Sequence, residues 1–161
     1  MTRRAFFLRI LSILMVIALV VVIIFYLAGS SGSEKPINEV AAPVISLFEN
    51  EKSEPSQDRM FKKHYSFNAQ DYDGVVLYSP VSNMDAEELL IVKLADEDQA
   101  EDLVAAVESR LDSQMNVFEG YAPQPYALCQ NAIIDLQGNY LLFVVHENAT
   151  LIDDAFRSAL K

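Results

Sequence analysis

The chain has 161 residues, 52% of them apolar, and its 23 acidic against 12 basic side chains give a formal charge of −11. That balance argues against nucleic acid or an anionic lipid surface as ligand; it favours solubility and, where a partner is charged, a basic one. Cys129 is the only cysteine, so no disulfide within the chain staples the fold, and stability must come from packing.

Residues 10–28, ILSILMVIALVVVIIFYLA, are apolar except for Ser12. As a helix they would span roughly 28 Å, close to the ~30 Å hydrocarbon layer of a bilayer, so the sequence predicts a single transmembrane helix with the lipid bilayer as its partner. Arg3, Arg4 and Arg9 precede the run and the next basic residue is Lys35. The positive-inside bias then places residues 1–9 in the cytoplasm and the rest of the chain on the far side of the membrane. A secretory signal has an apolar core of only about 7 to 15 residues, which predicts an uncleaved anchor, with cleavage after Ser30 as the alternative. The run holds no ionisable residue and no strong small-xxx-small face, so it reads neither as a transport path nor as a packing seam.

Residues 29–36, GSSGSEKP, read as a flexible tether. From Ile37 the apolar residues Ile37, Val40, Ala41, Val44, Ile45 and Phe48 fall on one helical face, with Pro43 inside the pattern. Residues 49–59 are polar and turn-rich, a loop. Residues 73–79 (DGVVLYS) and 88–94 (ELLIVKL) read as strands, the second largely buried, joined by a link too long for a tight hairpin. Asp96 with Gln99 has capping-box spacing at the head of a helix whose apolar face is Ala100, Leu103, Val104, Val107, Leu111 and Phe118. Gly120 is its C-terminal stop, followed by a turn through Pro123 and Pro125. Residues 131–136 and 140–146 are two further strands, joined through Gly138 as a hairpin, and residues 151–160 form a last helix. The predicted fold class is α+β: residues 37–161 form one domain, a four-stranded, antiparallel-rich sheet covered on one face by about three helices.

No catalytic, cofactor or metal motif is present. His64 and His146 lie far apart with no metal-ligand spacing around either. The stretch from Asp71 to Gly74 resembles the middle of a calcium loop, yet Ala69 and Pro80 stand where its essential ends belong, so a turn into a strand is expected. Cys129 has no neighbouring cation in the sequence to activate it and reads as a small buried hydrophobe. The polar cluster that stands out is Arg110, Gln114, Glu119, Tyr121 and Tyr126. Arg110 and Gln114 share a helical face, and the tyrosines bracket the proline turn. Arginine with aromatics is the composition of a binding patch, and a guanidinium can hold a carboxylate at two points. The alternative is structural: Arg110 ties down the turn through backbone carbonyls while the tyrosines pack with wet hydroxyls.

The same residues, Arg110-x3-Gln114, Phe118, Tyr121, Pro123, Asn131-Ala132, Gly138-Asn139-Tyr140 and Phe156, resemble an uncharacterised family of domains from Gram-positive, clostridial-type bacteria, commonly exported lipoproteins or membrane-anchored proteins. The resemblance covers roughly residues 72–160. It implies a location and a fold and no activity. A lipoprotein cysteine, common in that family, is absent here. The function expected is an extracytoplasmic interaction or ligand-binding module of the cell envelope, with an envelope protein or a small ligand as partner and no enzymatic activity. An envelope hydrolase whose site forms only in three dimensions, or a scaffold subunit of a membrane complex, are the alternatives.

Overall fold

The computed structural model describes residues 15, 32–48, 52–56 and 58–161. Residues 32–161 form one compact unit. Its helices are α1 (Ile37–Phe48), α2 (Asp58–Tyr65), α3 (Gln99–Phe118), α4 (Pro123–Gln130) and α5 (Ala149–Leu160), and its strands are β1 (Ser53–Pro55), β2 (Gly74–Pro80), β3 (Glu88–Lys93), β4 (Ile133–Gln137) and β5 (Tyr140–Val145). The strands form one sheet in the order β1-β2-β3-β5-β4, with every neighbouring pair antiparallel.

Two corrections to the expected fold follow. The sheet has five strands, not four: β1 lies inside the expected 49–59 loop and pairs Ser53 with Pro80 and Pro55 with Tyr78. Its sequence, SEP, carries no apolar alternation, and a proline is tolerated there because β1 is an edge strand with one side unpaired. Five helices, not about three, are present among the described residues, and they cover both faces rather than one. Leu90, Val92, Leu141, Phe143 and Val145 pack with Phe61, Tyr65, Leu103, Val107, Phe118 and Cys129 on the side of α2, α3 and α4. Leu89, Ile91, Leu142 and Val144 pack with Val40, Val44, Phe48, Ile152 and Phe156 on the side of α1 and α5. The physical reason is the composition of β3 and β5, ELLIVK and YLLFVV, whose successive side chains point to opposite faces, so near-continuous apolar strands bury both. The membrane helix expected over residues 10–28 lies outside the described residues apart from Met15, and among the described residues no helix is long and apolar enough to cross a membrane.

Local chemistry explains the boundaries. Helix α1 continues through Pro43, which lies on its exposed side while Val40, Ala41, Val44 and Phe48 are buried. Half of the expected capping box forms at α3: the Gln99 side-chain oxygen accepts from the Asp96 N–H at 3.2 Å, while the Asp96 carboxylate turns to the Asp98 N–H at 3.1 Å. Gly120, at φ 77°, ends α3 in the left-handed region that favours glycine. The proline turn becomes α4, because Pro123 occupies its first turn, where no N–H is needed. Gln137 pairs with Tyr140 across the hairpin at Gly138-Asn139. At the N-terminal end, Ser33 and Lys35 of the expected tether are tied to the domain: Asn139 Oδ1 accepts from the Ser33 N–H at 2.7 Å, and Tyr140 donates to the Lys35 carbonyl at 2.7 Å.

Candidate functional site

Strand alternation and helix periodicity together place a charged group in the core. In β3, Glu88 shares a face with Leu90 and Val92, pointing toward α2 and α3, and it is fully buried. On α3 the buried stripe runs Leu103, Val107, Gln114, Phe118, and Arg110 stands one turn from both Val107 and Gln114. The Glu88 carboxylate consequently accepts from Arg110 Nη2 at 2.7 Å and Nε at 3.1 Å, from Gln114 Nε2 at 2.9 Å and from the Tyr65 hydroxyl of α2. Burial and the adjacent carboxylate push the Tyr65 hydroxyl well above the ordinary tyrosine range. Burial of Arg110 works against its charge, but Glu88 outweighs it and the guanidinium is held more firmly protonated. This cluster ties α2 and α3 to the sheet.

Above it a cleft of about 550 Å³ opens between α2, α3 and the loop joining β2 to β3. Lys63 and His64 come from α2, Ser79, Ser82, Asn83 and Asp85 from the end of β2 and the loop, and Arg110, Gln114 and Val117 from α3. Three of these side chains carry a polar atom that is shut from solvent and finds no partner: His64 Nε2, Ser79 Oγ and Gln114 Oε1. Such atoms normally cost roughly 1–3 kcal/mol each when left unpaired, so their convergence on one cleft is uneconomic for a purely structural surface. Arg110 spends Nε and Nη2 on Glu88, which leaves the Nη1 edge of the guanidinium for another acceptor. Burial, then the Arg110 charge, lowers the His64 pKa below the usual histidine value, so the ring is neutral at pH 7.

The patch expected from the sequence divides. Arg110 and Gln114 do come together, on Glu88 and on the cleft wall. Tyr121 is largely exposed and donates to Met84 Sδ of the β2–β3 loop at 2.8 Å, outside the cleft lining. Tyr126 instead packs against the core beneath α4, and Glu119 caps the end of α3. Sequence reasoning missed Tyr65, His64, Ser79 and Glu88. The available signal was Glu88 itself: a glutamate in register with the inward residues of an otherwise apolar strand demands a buried partner.

Cys129 is buried, and burial raises its pKa to about 11, so it is a thiol at neutral pH. The Asp71–Gly74 stretch is no calcium loop but a turn into a strand: Asp71 ends a short helical turn, Ala69–Asp71, and Gly74 begins β2. Among the described residues no three His, Cys, Asp or Glu side chains converge to hold a metal. A second cleft of about 630 Å³, lined by Lys52, Glu87, His146 and Glu147, is satisfied internally: Lys52 pairs with Glu87 at 3.0 Å and His146 Nδ1 accepts from the Asn148 N–H at 3.0 Å.

No curated protein and no solved structure matches this chain. A family does match, over residues 47–146, a stretch that begins upstream of the resemblance seen in the sequence, stops before α5 and contains every residue of the Glu88 cluster and the cleft above it. The chain belongs to the family described as Domain of unknown function (DUF4358).

Proposed function

We propose that the domain is a ligand-binding module that holds a small carboxylate-bearing molecule in the cleft between α2, α3 and the β2–β3 loop. The observation that carries this reading is the set of unpartnered atoms, His64 Nε2, Ser79 Oγ and Gln114 Oε1, lining the same cleft as Lys63 and Arg110. The charge of Arg110 is matched by Glu88, so the cation that the wall adds is Lys63; with the Nη1 edge of Arg110 it offers donors suited to a carboxylate. Binding is favoured over hydrolysis because Ser79 Oγ and His64 Nε2 do not hydrogen-bond each other, as a nucleophile and its base would, and the Cys129 thiol is held un-ionised.

The setting belongs to the same proposal: a Gram-positive cell envelope, on the outer side of a membrane. Its support is the family resemblance in the sequence and the clustering of Arg3, Arg4 and Arg9 ahead of residues 10–28.

The test is a calorimetric titration with small carboxylates, alongside the Ser79→Ala variant. Because that hydroxyl is buried with no protein partner, its removal holds or raises the melting temperature while weakening binding. Equal affinity of wild type and variant for every carboxylate, or no binding by either, overturns the reading.

A further inference from the structure

Resting on the cleft as a carboxylate site, we infer that the ligand it fits is the C-terminal end of a peptide whose last residues are apolar. Three features of the cleft define the ligand. The first is a set of cationic donors: Lys63 and the Nη1 edge of Arg110 stand on the helical side, opposite Asp85, whose carboxylate accepts from the Ser82 hydroxyl at 2.7 Å. The second is a demand for a donor. Gln114 gives its Nε2 to Glu88 at 2.9 Å, which fixes the amide so that Oε1 is the orphan. Only an N–H or O–H on the ligand satisfies that acceptor. A bare fatty carboxylate meets the cations and leaves Gln114 unpaired. A peptide's terminal residue carries both groups side by side, a carboxylate and its own amide N–H. A free amino acid also carries both, but it would bring an ammonium against Lys63 and Arg110, whereas a peptide nitrogen is neutral.

The third feature is the rim. Of the eight large apolar side chains exposed among the described residues, one lines the cleft, Val117 at 57%, and three are linked to its walls through the β2–β3 loop: Val81 at 53%, Met84 at 55% and Tyr121 at 59%. Val117 lines the cleft, Val81 and Met84 belong to the loop that forms its other wall, and Tyr121 is tied to Met84. An apolar fringe around a polar floor matches apolar side chains flanking a polar terminus. The volume of about 550 Å³ exceeds what one amino acid fills and suits a short peptide end.

The experiment titrates the full chain with acetyl-Ala-Ala-Leu bearing a free carboxylate, its C-terminal amide, free leucine, and hexanoate. The free-acid peptide is expected to bind, with the amide, leucine and hexanoate each weaker by about tenfold or more. Lys63→Glu, at an exposed position, lowers affinity for the peptide and leaves the melting temperature in place. If the amide or leucine binds as well as the free-acid peptide, the inference is overturned. If hexanoate binds as tightly as the peptide, this inference fails while the carboxylate site stands; if none of the four binds, both fall.

Discussion

Glu88 and Arg110 meet across the interface of β3 and α3 with two guanidinium nitrogens, Nη2 at 2.7 Å and Nε at 3.1 Å, on the same carboxylate oxygen. The carboxylate side chain is 0% exposed and the guanidinium side chain 18%, so the pair is sealed on the side of the core and open on the side of the cleft. One residue thus belongs to both the fold and the candidate site. A ligand anion at Nη1 would share Arg110 with Glu88, and the rigid cluster would hold that guanidinium edge still.

Removing Arg110 strands a buried carboxylate. Arg110→Ala is expected to cost about 3 kcal/mol, toward the low end for a broken buried pair because the guanidinium is partly exposed. Glu88→Gln is expected to destabilise as well, and the double variant to lose less than the two single losses added together, by about 1 kcal/mol or more. Urea unfolding of the four proteins gives the coupling. Strict additivity would mean that the two groups act independently despite their geometry.

Stability should fall on acidification below the ordinary histidine pKa of about 6.5. The His64 pKa is lowered by burial, then by Arg110 and Lys63, with Glu88 pulling the other way; that of His146 is lowered chiefly by burial. The unfolded chain takes up these protons near the ordinary histidine value of about 6.5 while the folded chain resists, so the unfolded state binds more protons and stability drops as pH falls below that value. His64→Gln removes one of the two contributions and leaves the other, giving a shallower decline between pH 6.5 and 5 in unfolding midpoints. An unchanged slope would show that His64 titrates normally.

A carboxylate pair predicts the opposite sign. Asp153 of α5 is pushed up by burial and by Asp135 of β4, while Arg157 stands 3.0 Å from one and 3.1 Å from the other. Folding holds a proton on Asp153 above its ordinary range, so stability is lost as pH rises through that raised pKa. Asp153→Asn is expected to raise the melting temperature at pH 7, by the equivalent of up to about 1 kcal/mol, with the gain shrinking toward pH 4. A lower melting temperature at pH 7 would mean that Arg157 overcompensates the repulsion.

How much of this was legible depended on whether a residue signals through its own periodicity. Helices α1, α3 and α5 and strands β2 to β5 announced themselves because their apolar residues repeat at 3.6 or 2. Strand β1 and helix α2 did not. SEP exists as a strand only because Ser53 to Pro55 finds the free edge of β2, and α2 buries just Phe61 and Tyr65 in eight mostly polar residues. The site followed the same division. Arg110 and Gln114, four apart on a regular helix, were readable as a pair, whereas Ser79, His64 and Tyr65 join them only through tertiary packing.

The two-faced sheet makes the sharpest stability prediction, because Leu89 and Leu90 are adjacent in β3 and both fully buried, one facing α1 and α5 and the other facing α2 to α4. A sheet covered on one face would let one of them be truncated for little, since its side chain would already meet water. With a core on each side, Leu89→Ala and Leu90→Ala should each cost about 2–5 kcal/mol. Their effects should be nearly additive, since the two side chains share no neighbours across the sheet. Urea unfolding of both single variants and the double checks this, and a loss under about 1 kcal/mol for Leu89→Ala would mean that α1 and α5 do not close over that face in solution.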